Sequence, residues 1–446
     1  MQQDEAAEPV GPESKRSPLG VLFLTVFVDL VGFSIIFPLF PRMLEHYLEL
    51  EGAESLIGRL NTTLSDLAGG EGERKEFYAT VLFGGVLASL YSILQFVFAP
   101  IWGRLSDRKG RRPVLLVTIG GLAFSYLVWV FSSSFLLLII SRLLSGIMGG
   151  NIAVATAAIA DSTDEKSRSK GMGVIGAAFG LGFILGPAIG GGLSFIDASD
   201  SGVPGLNPFS AAAAGACLLS IWNVIWVARK FDETLPPQKR GAGDGSRRPI
   251  NPFVLFRSFE FAGVTRTNVA YFFFLVAFAG MEFTLTFLAH DRFNYGPMDN
   301  ALMFVYIGFL LALIQGGVVR RVAPKFGERR VALLGLALII PGLILTGMSE
   351  TLLTFYTGLG LLAVGSAFAT ACLTALVSLY APSDRQGEVL GVFRSLGALS
   401  RAVGPILACA AYWKLGEKWP YYGGAAMMAL PIVLALALPA PRKSRG

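Results

Sequence analysis

Gly103-Arg104-Leu105-Ser106-Asp107-Arg108-Lys109-Gly110-Arg111-Arg112-Pro113 is a short basic segment between two long apolar runs. Its glycines permit a tight turn. Its five Arg/Lys residues favour the cytoplasmic side of a membrane. What lies on either side decides the class of fold.

The chain has 446 residues, of which 53% are hydrophobic and 15% charged. Soluble domains carry about 25% charge, so this chain falls well short. Its apolar residues come in runs of about 20, long enough to span a bilayer. The alternating ten-residue segments of an outer-membrane barrel are absent. The expected fold is an all-α polytopic membrane protein. Twelve spans are placed at 19–40, 77–101, 113–131, 135–160, 171–195, 209–227, 268–289, 301–319, 331–348, 352–380, 389–413 and 421–438. The polar residues 1–18 form an N-terminal tail, with no signal-peptide pattern. Residues 19–228 form one six-helix half and 267–439 the other. Between them runs a Gly-, Pro- and charge-rich linker, 229–266, with a short surface helix expected at Val254–Phe261. Residues 440–446 form a C-terminal tail.

With the N-terminus inside, the inner segments hold 27 Lys and Arg and the outer loops 7. That bias puts both termini in the cytoplasm. The longest outer segment, Arg42–Glu76, is net acidic and reads as a loop; its Asn61-Thr62-Thr63 triplet is a glycosylation sequon in form. The two halves look like repeats. The basic segment after span 2 has a counterpart after span 8, Arg320 to Arg330. Gly186-Pro187 in span 5 matches Gly404-Pro405 in span 11. Two parallel six-helix halves around a midplane cavity are a transporter architecture.

The charge of +6 resides mostly in those inner loops, so it implies no nucleic acid. Cys217, Cys372 and Cys409 sit singly in apolar runs, and His46 and His290 lie far apart, so no disulfide framework or metal site is expected. No nucleophile–base arrangement or phosphate-binding loop is present, which argues against an enzyme or an ATP-driven pump.

A charge at lipid depth costs at least about 2.5 kcal/mol, so each one calls for an explanation. Asp29 lies midway along span 1. Desolvation disfavours the charged form of a carboxyl, so Asp29 can carry a proton, bind a cationic group, or pair with a buried arginine. Arg142, in span 4, stays charged and can anchor Asp29 or a substrate carboxylate. Glu282 lies at a similar depth in span 7, the counterpart of span 1. Arg394 and Arg401 are seven residues apart in span 11, close to two helical turns, and share a face. Arg401 is expected to face the cavity and to pair with Glu282 or an anionic ligand. Gln95, Asn151 and Gln315 join this list as neutral cavity candidates. Asn223 and Asn268 are polar at the span edges, where glue between helices is the commoner role. The run Tyr271-Phe272-Phe273-Phe274 is assigned mostly to packing and lipid contact. Span 5 carries glycines at close spacing, including Gly182, Gly186 and Gly190, and these allow tight helix approach; Pro187 allows a bend.

The segment opened on has the form G-x-L-x-D-R-x-G-R-R-P, which resembles the signature loop between helices 2 and 3 of the major facilitator superfamily. Gly186-Pro187-x-x-Gly190-Gly191 is similar to the superfamily's antiporter element. Asp29 with Gly32 and Pro38, and Ala160-Asp161 closing span 4, resemble the tetracycline-resistance branch of drug:proton antiporters. The span 11 string from Arg394 to Pro405, and Leu82-Phe83-Gly84-Gly85, look closest to the tetracycline transporter-like group of that branch. The resemblance implies the major facilitator fold, with twelve helices around a central cavity. It implies a cytoplasmic gate made by Gly103, Asp107, Arg108, Gly110, Arg111, Arg112 and Asp161, in which Asp107 latches onto span 11 and Arg111 pairs with Asp161. It links Arg142 to proton transfer and suggests organic anions and drugs as substrates.

The expected function is proton-coupled efflux of an amphiphilic organic compound by alternating access. A facilitator or symporter of a small metabolite, or a transport-dead scaffold or receptor, remains the alternative. The proton gradient is the expected energy source, with no cofactor. The expected partners are the lipid bilayer, protons and a small-molecule substrate, with the chain a monomer in the plasma membrane.

Overall fold

The computed structural model describes residues 19–68, 73–163, 178, 181–182, 185–240, 263–381 and 386–439. The tails, most of the linker with Val254–Phe261, and Gly180 lie outside them. Described helices are α1 Leu19–Ser34, α2 Phe40–Glu51, α3 Leu56–Ala68, α4 Glu73–Lys109, α5 Arg111–Val130, α6 Phe135–Met148, α7 Asn151–Ser162, α8 at 185–193, α9 Ser210–Lys230, α10 Val264–Phe293, α11 Pro297–Leu313, α12 Arg320–Phe326, α13 Glu328–Met348, α14 Leu352–Tyr380, α15 Gln386–Leu415, α16 Trp419–Met427 and α17 Ala429–Leu436. Ten stretches among the described residues are long and apolar enough to cross a membrane. Span 2 lies within α4, whose 37 residues make a helix about 55 Å long. The chain is an all-α polytopic membrane protein.

Several expected boundaries move. The outer segment Arg42–Glu76 is not a simple loop: α2 and α3 occupy most of it. Its apolar residues recur at helical spacing, as at Leu56, Ile57, Leu60, Leu64 and Leu67. Span 4 is two helices, α6 and α7, broken at Gly149-Gly150. The Trp102 indole fills that break, donating to Ile147 O at 2.7 Å. Span 8 ends in a turn of π-helix, Ile314–Val319, a local widening found often at functional sites.

The opening segment is itself mostly helix. α4 runs through Lys109 and α5 starts at Arg111, so the turn is a single residue, Gly110. Its φ of 103° is one that a side chain rarely tolerates. The second half repeats the device at Gly327, φ 88°, just before α13. In both halves an arginine two residues on caps the last span. Arg112 Nη2 donates to Ala228 O of α9 at 2.5 Å. Arg329 Nε donates to Ala435 O of α17 at 3.1 Å, and its Nη2 bonds Leu436 O. The terminal carbonyls of a helix have no partner of their own and carry partial negative charge, which a guanidinium satisfies.

The glycine seams repeat as well. The α8 region packs on α1, where Ser34 Oγ donates to Gly182 O at 3.1 Å. A Cβ at Gly186 would overlap Ser34 Oγ. In the other half α15 packs on α10, and a Cβ at Gly404 would lie 2.6 Å from Val276 O and 3.0 Å from Gly280 N. These atoms are backbone and cannot rotate away. Gly404→Leu is therefore expected to cost about 3 kcal/mol or more by overpacking. Thermal melting of the purified variant checks this, with Gly423→Ala as the control, since nothing lies within 4 Å of a Cβ there.

The two halves touch at the end away from the basic segments. The Phe40 and Phe283 rings meet edge to face at 5.4 Å. His290 Nε2 lies 4.0 Å from Glu45 Oε1. Gly191 lies against Ala301 and Pro297, and Gly85 against Cys409. The cavity is closed at that end in this conformation.

Candidate functional site

The basic end of the first half is organised around Arg111, buried to 5% exposure. Its Nε lies 2.8 Å from Asp161 Oδ2, and its Nη1 lies 2.5 Å from Asp107 Oδ1. The same Nη1 donates to Ser106 Oγ at 2.6 Å. A planar fork can serve several oxygens at fixed angles, which an ammonium cannot. Asp107 and Arg111 are four residues apart across the Gly110 turn. The Asp107 carboxylate goes to Arg111 in its own half, and no ion pair joins it to span 11 among the described residues, which leave out most side chains at the cytoplasmic start of that span.

Glu233 completes the cluster, and the sequence reading did not single it out. It follows span 6, and its carboxylate accepts from the backbone N–H of Arg111 at 2.8 Å and of Arg112 at 3.2 Å. The first N–H groups of α5 have no helical partners, and a carboxylate there is favoured by the helix dipole. Gly110 leaves the room, because a Cβ would overlap Glu233 Oε2. The available signal was an acid just past the end of a span, facing a helix start that lacks a capping residue. Arg108 is exposed, and a Cβ at Gly103 would touch nothing within 4 Å.

Deeper in the bundle, charges from both halves converge. Asp29 is 3% exposed, and neither carboxylate oxygen has a hydrogen-bond partner among the described residues. Asn151 is the side chain placed to hydrogen-bond Asp29, though its Nδ2 stands just outside hydrogen-bond geometry here. Arg142 is 5% exposed and forms no ion pair with Asp29 among the described residues; its Nε is without a partner. Its guanidinium lies over the Trp129 ring, 4.6 Å from the centroid, and 5.7 Å from that of Tyr126. Tyr91, fully buried beside this group, stacks on Phe33 at 4.4 Å.

On the other side of the cavity, Glu282 and Arg401 act on each other through space. Arg394 and Arg401 both bear on the buried Tyr271. Tyr271 is 6% exposed and stacks on Phe393 at 3.9 Å. Tyr271 and the buried Phe274 therefore face inward, and only part of that aromatic run is left for lipid.

The neutral candidates divide. Asn151 joins the Asp29 group. Gln95 is used as glue, donating to Gly149 O at 3.0 Å beside the α6–α7 break. Asn223 donates to Thr25 O at 3.3 Å and ties α9 to α1. Gln315 stands in the π turn. Among the described residues no group of three metal-ligating side chains exists.

Two six-helix halves with a charged, closable cavity between them define a carrier that moves small molecules across a membrane. The Major Facilitator Superfamily model matches residues 22–405 and 318–446, and the chain belongs to that family. Its fold is the twelve-helix major facilitator fold, and it is a transporter rather than an enzyme. Among its relatives is the major facilitator superfamily domain-containing protein 10 of Bos taurus, 36% identical over 96% of this chain and 94% of the relative. The class G tetracycline resistance protein of Vibrio anguillarum is 32% identical over 91% of this chain and 92% of its own. The crystal structure of the human organic anion transporter MFSD10 (TETRAN) aligns with a TM-score of 0.77 and 34% identity, covering 95% of this chain and 100% of that one.

Proposed function

We propose that the chain is a proton-coupled antiporter that exports an amphiphilic organic anion by alternating access. The observation that carries this reading is the Asp29 carboxyl, 3% exposed in the middle of a membrane span with no hydrogen-bond partner for either oxygen among the described residues. Asp29 and Glu282 supply one carboxyl per half for protons. Arg142, Arg394 and Arg401 supply positive charge for an anion, and Tyr271 with Phe393 supplies a flat apolar surface for its body. A carboxyl without a direct partner can exchange its proton for a bound anion's pull on the same arginines. The kinship with an organic anion transporter and with tetracycline resistance proteins supports this substrate class and direction. The basic segments favour an orientation with both termini in the cytoplasm. The cavity then faces the cytoplasm in this conformation, ready to load.

Uptake of labelled 1-naphthalenesulfonate, an aromatic anion that stays charged, tests the reading in proteoliposomes with the membrane potential clamped. One pH unit, acid inside, is expected to sustain about tenfold accumulation at one proton per anion, the ratio that 1.4 kcal/mol supports. Uptake that equilibrates without regard to the gradient would make the chain a facilitator. No uptake under either condition would remove the organic-anion assignment.

A further inference from the structure

We propose that Asn151 is a positioning residue that takes up the charge of Asp29, and that α7 swings on the Gly149-Gly150 break to carry that event to the Arg111 cluster. The inference rests on the reading of Asp29 as a group that exchanges protons, and it goes beyond it by assigning where the exchange is read.

α7 is tied at both ends. At its first residue, Asn151 is 1% exposed and is the side chain placed to hydrogen-bond Asp29. Its Oδ1 accepts from Ile152 N at 2.8 Å, which leaves Nδ2 as the free end of the amide. That Nδ2 has no partner among the described residues, and neither has either oxygen of Asp29. Donor and acceptors stand near one another but unjoined, at a burial where unmade bonds are costly. An amide N–H bonds a carboxylate more strongly than a neutral carboxyl. Loss of the Asp29 proton therefore draws Asn151 in, and its return lets Asn151 go. In the last turn of α7, Asp161 Oδ2 meets Arg111 Nε at 2.8 Å. The two contacts lie about 15 Å apart along the helix.

The break beside Asn151 is built as a hinge. Tyr91, Gln95 and Trp102 share one face of α4 and line it. Gln95 Nε2 donates to Gly149 O at 3.0 Å, and Trp102 Nε1 donates to Ile147 O at 2.7 Å. These donors satisfy carbonyls that the interrupted helix leaves open. A Cβ at Gly149 would lie 3.1 Å from the Tyr91 hydroxyl. One at Gly150 would lie 2.3 Å from Trp102 Cδ1 and 2.8 Å from its Cβ. The glycines thus let the break lie directly against α4. Just beyond Trp102, α4 presents Asp107, whose Oδ1 lies 2.5 Å from Arg111 Nη1. A swing of α7 against α4 therefore changes how Arg111 is shared between Asp161 and Asp107. Asn151 adjoins the hinge and Asp161 ends the rod, so a small pull at the first is enlarged at the second.

The titratable groups beside Asp29 are two phenols, Tyr91 of α4 and Tyr126 of α5. Phenols stay neutral from about pH 5 to about pH 8. α9 presents Asn223, bonded to Thr25 O, and the α8 region presents Gly182 and Gly186. The charged side chain of α6, Arg142, lies over the Trp129 and Tyr126 rings.

Two readouts on the purified full chain test the proposal without a transport assay. Dicyclohexylcarbodiimide modifies protonated carboxyls in apolar surroundings, and mass spectrometry of the Asp29 peptide reports that modification. Spin labels at Lys230→Cys and Lys325→Cys, exposed positions at the basic ends of the two halves, report the width of the gate. The native cysteines are buried and take no label. Between about pH 5 and about pH 8, wild-type labelling at Asp29 is expected to fall and the spin-label separation to shift over the same range. Asp29→Asn is expected to abolish the shift, which assigns it to Asp29 among all titrating groups. Asn151→Ala and Gly150→Ala are expected to keep the fall in labelling and lose the shift, a separation that a merely structural role would not produce. A size-exclusion profile confirms that each variant is folded before it is read. A shift that survives in either variant overturns the proposal. Wild-type labelling that falls while the separation stays fixed overturns this proposal alone. Wild-type labelling that does not change with pH removes the proton reading of Asp29 and the proposal with it.

Discussion

Asp29→Asn is expected to lower gradient-driven transport by about 100-fold, the scale on which losing a proton-transferring side chain acts, while leaving the fold as stable as before or more so. Asparagine fills the same volume and cannot carry the exchanging proton. Asp29 is 3% exposed and both its oxygens lack a partner among the described residues. A buried polar group without a hydrogen bond costs about 1–3 kcal/mol, so the native residue is a liability that packing alone would not keep. A stable but inactive variant is the signature of a residue held for function. Proteoliposome transport and thermal melting, measured on the same preparation, check both halves of the expectation. A variant that transports normally, or one that unfolds, would return Asp29 to a structural role.

Arg111→Gln is expected to have the second large effect, this time on stability first. It removes one partner from Asp107, Asp161 and Ser106 together. Breaking a buried pair costs about 3–5 kcal/mol; Asp161 and Asp107 have some access to water, so about 2–3 kcal/mol is expected here. Arg111→Lys should recover only part of that loss, because a single ammonium cannot serve three oxygens in a plane. Melting temperature measures the difference. Transport should fall as well, since the cluster joins the ends of α4, α5 and α7 into the unit that must move against the second half. Equal melting temperatures for wild type, Arg111→Lys and Arg111→Gln would show that the cluster holds nothing together.

Much of this was legible in the sequence because lipid imposes strict rules. Long apolar runs can only be helices there, and the segment Gly103–Pro113 announces both a turn and an inner loop. The repeat was visible as Gly186-Pro187 against Gly404-Pro405. Its finer symmetry was not. That Arg112 and Arg329 cap the last helix of their own halves depends on which span ends beside them, and a linear reading cannot supply that. Glu233 escaped notice for the same reason: it acts 122 residues away in sequence on the N–H of Arg111. The expected latch from Asp107 to span 11 falls where most of the span 11 side chains lie outside the described residues. The charges at lipid depth stood out because each is costly. Tyr126, Trp129 and Tyr271 did not, because an aromatic ring in an apolar run carries no such cost, and only its neighbours reveal its use. The break at Gly149-Gly150 was hidden inside a run that hydropathy treats as continuous.

The most direct test of the coupling claim reverses the usual assay. If protons and anion exchange through one cavity, an anion gradient must drive protons just as a proton gradient drives the anion. Proteoliposomes holding a trapped pH-sensitive dye, with the potential clamped and no initial pH difference, receive 1-naphthalenesulfonate on the outside. The interior is expected to turn alkaline as anions enter and protons leave, and to stay constant with Asp29→Asn. Anion entry with no change in interior pH, or with acidification, would contradict the account.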